Sequence, residues 1–152
     1  MARTLELFAG NKSDGSPVLE QVRVEQLGTT TYKLIQSPGL VLGIAAGDTF
    51  ELLPDRRISV ISRGQNLCIQ LYVGSRNSAL ERFATDSLAA LGGRLDGESA
   101  SQLVYTAPVS AGFPAIEEVL REIVSRFPTC EWYYGNVYDP DDGVTPLNWW
   151  TQ

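Results

Sequence analysis

Histidine is missing from this 152-residue chain, and Cys68 and Cys130 are its only thiols. Without an imidazole there is no Ser-His-Asp or Cys-His catalytic arrangement, no histidine-ligated zinc and no histidine general acid or base. Two thiols alone cannot complete a thiolate zinc site. No apolar run approaches the ~20 residues that span a bilayer, and the opening MARTLELFAG lacks the apolar core of a signal peptide. A cytoplasmic protein with no membrane association is the expectation.

Positive charge is also short. The chain carries 12 basic against 18 acidic residues, a net charge of −6, and no Lys or Arg follows Arg126. Glu131, Asp139, Asp141 and Asp142 lie in that base-free end, so most of the surplus is C-terminal. Such a surface repels phosphate backbones, which argues against nucleic acid, and attracts basic proteins. What remains is ordinary: 43% hydrophobic and 20% charged residues describe a globular chain of single-domain size.

Period-two alternation with turn residues between the runs predicts strands through the first half. TLELF (4–8), VLEQVRVEQL (18–27), TYKLI (31–35), DTFELLP (48–54) and DRRISVIS (55–62) fit, the second and third as a hairpin. Glycines at 39, 43 and 47 make SPGLVLGIAAGD (37–48) a poor helix, so it is read as a crossing loop with Leu40, Leu42 and Ile44 turned into the core. This half, residues 1–64, is expected to be an antiparallel β-sheet or partial barrel.

After the strand LCIQLYV (67–73) the period changes. NSALERFATDSLAALGG (77–93) has a Ser78-x-x-Glu81 capping box and a Gly92-Gly93 stop, and GFPAIEEVLREIVSRFP (112–128) carries Pro114 early, basic residues late and Pro128 as terminator. Both read as helices. Residues 94–108 supply one or two strands with a turn near Asp96 and Gly97, and 129–139 the last strand. The order β-α-β-β-α-β makes residues 65–139 a ferredoxin-like half and the whole chain α+β. First and last strands of that arrangement are antiparallel neighbours, which sets Cys68 and Cys130 at opposite ends and predicts two buried free thiols rather than a disulfide.

Residues 140–152 form an aromatic and acidic tail after CEWYYGNVYD. DPDDG (139–143) fails as a calcium loop, because Gly143 falls one residue early and the twelfth position is Trp150. Its carboxylates sit beside Pro140 and Gly143 in a turn, not on the rigid elements that paired catalytic acids require. The glycine-spaced segment has neither GxGxxG spacing nor a Walker ending. No catalytic residue, metal or cofactor emerges. In the last strand, alternation sends Trp132 and Tyr134 to one face and Glu131 and Tyr133 to the other. Trp149 and Trp150 are read either as a cover over an apolar patch or, with Tyr138, Asp139, Asp141 and Asp142, as a partner-binding surface. Arg56, Arg57 and Arg63 are candidates for holding an anion.

The stretch EQVRVEQLGTTTYKLIQSPGLVLGIAAGDTFEL, beginning at Glu20, resembles the bacterial DUF4265 family in Leu27-Gly28, Tyr32, Leu34, Pro38, Gly43, Ala45, Gly47 and Asp48. The similarity is expected to run over residues 5–138 and implies a fold without a catalytic signature. Two functions follow as expectations. One is a non-enzymatic protein-binding module, an immunity-type protein that neutralises a cognate basic toxin. The other is a small-molecule sensor or enzyme that uses the cleft between the two halves. Oligomeric state is left open.

Overall fold

Residues 2–151 are described in a computed structural model. Five strands come first, β1 (Ala2–Asn11), β2 (Pro17–Gln26), β3 (Thr31–Leu34), β4 (Thr49–Leu52) and β5 (Ile58–Ser62). They pair in chain order as an antiparallel meander. Leu5, Leu7, Val22, Val24, Tyr32, Leu34 and Phe50 alternate onto its concave face and are buried together with Val41 and Ile44. The sheet curls over this core but stays open rather than closing into a barrel, with one backbone bond from Phe8 N–H to Arg56 O (2.9 Å) reaching between β1 and the β4–β5 turn.

The second sheet holds β6 (Asn66–Tyr72), β7 (Arg94–Glu98), β8 (Gln102–Pro108) and β9 (Glu131–Tyr134), in the spatial order β7-β8-β6-β9 and antiparallel throughout. Helices α1 (Ser78–Ala89) and α2 (Phe113–Arg126) cover one face. Leu80, Ala84 and Leu88, and Ile116, Leu120 and Ile123, recur at helical spacing and pack on Leu67, Ile69, Leu71, Leu103 and Tyr105. Each Leu or Ile side chain among them removed from water stabilises the fold by about 1.5–3 kcal/mol. The molecule is therefore α+β, with two antiparallel sheets and two helices. Among the described residues no helix is long and apolar enough to cross a membrane.

Three local expectations need correction. The cap of α1 is Asn77, whose Oδ1 accepts from Ala79 N–H (2.9 Å) and Leu80 N–H (3.2 Å), not Ser78 one residue later. Asp96 and Gly97 form a bulge inside β7 rather than a turn, because the Asp96 carboxylate is drawn inward to accept from Ser37 N–H (2.8 Å) and the Thr106 hydroxyl (2.5 Å). The chain reverses instead at Ser99–Ser101. Leu40 and Leu42 do not enter the core: they are 50% and 45% exposed, while Val41 and Ile44 are buried.

The crossing segment, residues 37–48, lies on the face of the second sheet that the helices leave open. Ala45 packs with Cys68 and Val104 there, and Gln102 donates to Gly39 O at 2.9 Å. Close approach demands a glycine at 64, against backbone, and favours one at 39, against a side chain. A Cβ on Gly39 would stand 2.6 Å from Gln102 Oε1, and one on Gly64 2.5 Å from the Gly47 carbonyl carbon. Cys68 and Cys130 are buried and free, and burial pushes the Cys68 thiol up to about 12.

Candidate functional site

Glu20 sets the first wall of a cleft. Its carboxylate accepts from the N–H groups of Gly39 (2.8 Å), Leu40 (3.0 Å) and Val41 (2.8 Å), three donors that a short irregular segment otherwise leaves to water. The segment bends at Gly39 and Leu40 around this carboxylate, with Leu40 and Leu42 outward. Gly43, at φ 87°, then donates to Gly135 O (2.8 Å) just past β9, tying the crossing segment to the second sheet.

Beneath this junction lies the Asp48–Arg63 pair. Arg63 Nη1 reaches Gly43 O (2.8 Å) and Asp48 Oδ2 (3.2 Å), and Asp48 also accepts from Ala45 and Gly64 N–H. Burial raises the Asp48 carboxyl above the ordinary range, opposed by those backbone donors and by Arg63. Arg63 is committed to this clamp and stacks 5.7 Å over Trp149. Arg56 occupies a tight turn at φ 69°, and Arg57 pairs with Asp55 and lies over Phe8. Since β5 separates Arg57 from Arg63 by roughly 20 Å of extended chain, Arg63 stands apart from Arg56 and Arg57.

A cleft of about 670 Å³ opens where the crossing segment, β9 and the tail meet. Leu40 and Leu42 of the crossing segment line it together with Tyr138, Asp139 and Pro140, and Pro140 packs beside Gly43. β9 runs along it as the edge of its sheet, with Tyr133 (54% exposed) on the crossing-segment face and Trp132 and Tyr134 on the helix face. Rings meet edge to face on both sides: Tyr72 with Tyr133 at 5.8 Å and 70°, Trp132 with Tyr134 at 5.0 Å and 77°.

Carboxylates complete the lining. Glu117, from the first turns of α2, lines the cleft with Asp139 and accepts the Tyr134 hydroxyl at 3.0 Å; Glu131, outside the lining, accepts that of Tyr133 at 3.1 Å. Burial raises the Tyr134 pKa, and the bond to Glu117 adds to it. No Lys or Arg lines the cleft, and among the described residues none of the ion pairs involves Glu117, Glu131 or Asp139. Aromatic faces beside unpaired carboxylates attract an organic cation.

The six tail residues expected to form one surface separate into three groups. Tyr138 and Asp139 line the cleft. Asp141 and Asp142 are exposed in a turn that uses the acids internally: Asp139 Oδ1 accepts from Asp141 N–H (2.9 Å), and Asp142 from Val144 and Thr145 N–H (2.9 Å each) and from the Thr145 hydroxyl, which lowers its pKa. Trp149 is only 7% exposed, donates its indole N–H to Asn136 O (2.8 Å), and belongs to the helix-side core. Trp150 is half-buried against Phe113. The tail is pinned by a small hairpin, with Asp139 N–H to Thr145 O and Leu147 N–H to Val137 O at 2.8 Å each. Glu117 and Leu42 were not anticipated as cleft residues; the alternation that turns Tyr133 away from the helices is the one signal in the sequence that points here.

An open β-meander joined to a helix-backed sheet, with an aromatic and acidic cleft at the joint, defines the class as α+β with two antiparallel sheets. The chain belongs to the DUF4265 family, a domain of unknown function, whose signature matches residues 20–126. That match is shorter than the resemblance implied: β9, Tyr138 and Asp139 lie beyond it, so part of the cleft is built from residues outside the family signature. A comparison with curated proteins gives no match. A hypothetical protein from Neisseria gonorrhoeae shares the fold, with a TM-score of 0.67 and 11% identity over 89% of this chain and 94% of that one.

Proposed function

We propose that this protein is a non-enzymatic binding module whose cleft takes a basic side chain of a protein partner. The observation that carries the reading is the lining: tyrosine and tryptophan rings with Glu117 and Asp139, and no base among them. A Lys or Arg entering it gains ring contacts and a half-buried carboxylate, while the net charge of −6 draws a basic partner in from solution. An immunity-type role, neutralising a basic toxin, asks for the same chemistry. On the same footing we assign the second half to the ferredoxin-like class; its strand order β7-β8-β6-β9 and the two helices on one face support this.

The cleft volume favours a second reading. At about 670 Å³ it falls within the range of roughly 300–1,000 Å³ in which small ligands bind, so a free organic cation fits it too. Affinity capture from the native bacterium separates the two, using the wild-type protein and a Glu117→Gln/Asp139→Asn variant. A basic protein retained by the wild type and lost by the variant supports the partner reading. Retention by both places binding elsewhere. A thermal shift with a free cation, and no retained protein, favours the small ligand.

A further inference from the structure

The four sheet edges are not alike. β1, β5 and β7 each carry an extra residue that breaks the ladder on the edge strand itself: Ala9, Ile61 and Asp96 in turn. Bulges of this kind twist an edge away and prevent another chain from pairing with it. β9 has none; its register against β6 is unbroken from Glu131 to Tyr134, and it contains neither Pro nor Lys.

Its outward groups follow from the ladder. Gly135 N–H donates to Cys68 O (2.8 Å), so in this antiparallel pair Tyr133 and Glu131 also turn toward β6. The N–H and C=O groups of Trp132 and Tyr134 therefore face away from the sheet. Among the described residues neither enters a backbone hydrogen bond outside the ladder. The cleft lies along this side, bounded by Tyr133 and Tyr138 on one face and Trp132, Tyr134 and Glu117 on the other.

The geometry points to β9 as a receiving strand: an extended, basic segment of the partner adds to the second sheet beside β9, exchanging backbone hydrogen bonds with Trp132 and Tyr134. This deepens the partner reading above and rests on it. Alternate side chains of the added segment fall to the two faces of the edge. On the crossing-segment face a basic side chain meets Tyr133, Tyr138 and Asp139, and on the helix face it meets Glu117. A second copy of this chain is a poor occupant, since Glu117, Glu131 and Asp139 would face their own equivalents. Because β9 spans four residues, the added pairing is short and the charged side chains contribute much of the affinity.

The test uses the intact protein and three probes: an eight-residue peptide of paired Lys and paired Val residues, which sets Lys on both faces of a strand, the same peptide N-methylated at every backbone nitrogen so that it keeps its charge but has no backbone N–H to donate, and N-acetyl-lysine-amide. Affinities come from calorimetry, and protection of the Trp132 and Tyr134 amides from hydrogen exchange. The expected result is binding of the plain peptide with both amides protected, and at least tenfold weaker binding of the methylated peptide. Equal binding of the two peptides overturns strand addition and leaves the cation-binding cleft standing, as does a response to N-acetyl-lysine-amide without one to the plain peptide. Silence from all three probes overturns both. Concentration-dependent dimerisation of the protein through β9, without peptide binding, overturns the assignment of the occupant.

Discussion

The Tyr134 hydroxyl lies 3.0 Å from Glu117 Oε2 and donates to it. This bond joins the last strand to α2 and fixes a carboxylate against a ring while leaving it without a cation. The charge of Glu117 is oriented, partly shielded from water and available. If the cleft takes a basic group, Glu117→Gln keeps the shape and an acceptor for Tyr134 but weakens binding of a Lys-containing peptide by about tenfold, the scale of one charge-assisted bond. Calorimetry against the wild type checks this. Asp139→Asn, which preserves the turn acceptor for Asp141 N–H, is expected to add to the loss.

Asp141 serves as the contrast. It is exposed and outside the cleft lining, so Asp141→Asn is expected to slow association at low salt by no more than a few-fold and to leave dissociation unchanged. Stopped-flow binding at two salt concentrations measures both rates.

Trp149→Ala is a core truncation on this account. Loss of a nearly buried indole and its bond to Asn136 O is expected to cost about 3–5 kcal/mol in urea unfolding. Peptide affinity measured where the variant remains folded is expected to stay near wild type. A large affinity loss with little change in stability would return Trp149 to the binding surface.

Arg63 neutralises a carboxylate that is otherwise shut in. Arg63→Ala strands Asp48 and is expected to destabilise the fold by about 3 kcal/mol, without changing the response to phosphate or sulfate. Replacing Asp48 with Asn in the same protein should recover part of that loss, because it removes the uncompensated charge; chemical denaturation of the wild type and the two variants tests the order.

Burial holds the Cys68 thiol at about 12 against 9.0 for the free group. Above pH 9 the unfolded chain therefore releases a proton that the folded chain keeps, and stability falls as pH rises from 9 toward 12. The slope from this group reaches at most about 1.4 kcal/mol per pH unit. Cys68→Ala should unfold with a shallower dependence than wild type between about pH 8 and about pH 10; parallel curves would contradict a buried, protonated thiol.

The parts of this architecture legible in the sequence are those that depend on local pattern. Leu80, Ala84 and Leu88, and Ile116, Leu120 and Ile123, announce their helices by spacing alone, and Leu5, Leu7, Val22 and Val24 announce theirs as strands. What escaped depends on partners far along the chain. Asp96 looks like a turn residue beside Gly97, yet Ser37 and Thr106 convert it into a bulge. Leu40 and Leu42 look like core residues until Glu20 captures the N–H groups around them. The acids and rings of the tail were visible as a cluster, but its hairpin distributes them among a core, a turn and a cleft. Glu117 sits on a helix face whose neighbour, Tyr134, is remote in sequence, so the cleft had no contiguous signature.

The most direct test of the central claim is an NMR titration of the intact protein with N-acetyl-lysine-amide and, as the uncharged control, N-acetyl-norleucine-amide. The account predicts shifts from the lysine probe confined to Leu40–Leu42, Trp132–Gly135 and Tyr138–Gly143, absent with the control and lost in Glu117→Gln/Asp139→Asn. Shifts of equal size with both probes, or shifts from the lysine probe centred outside these segments, would contradict it.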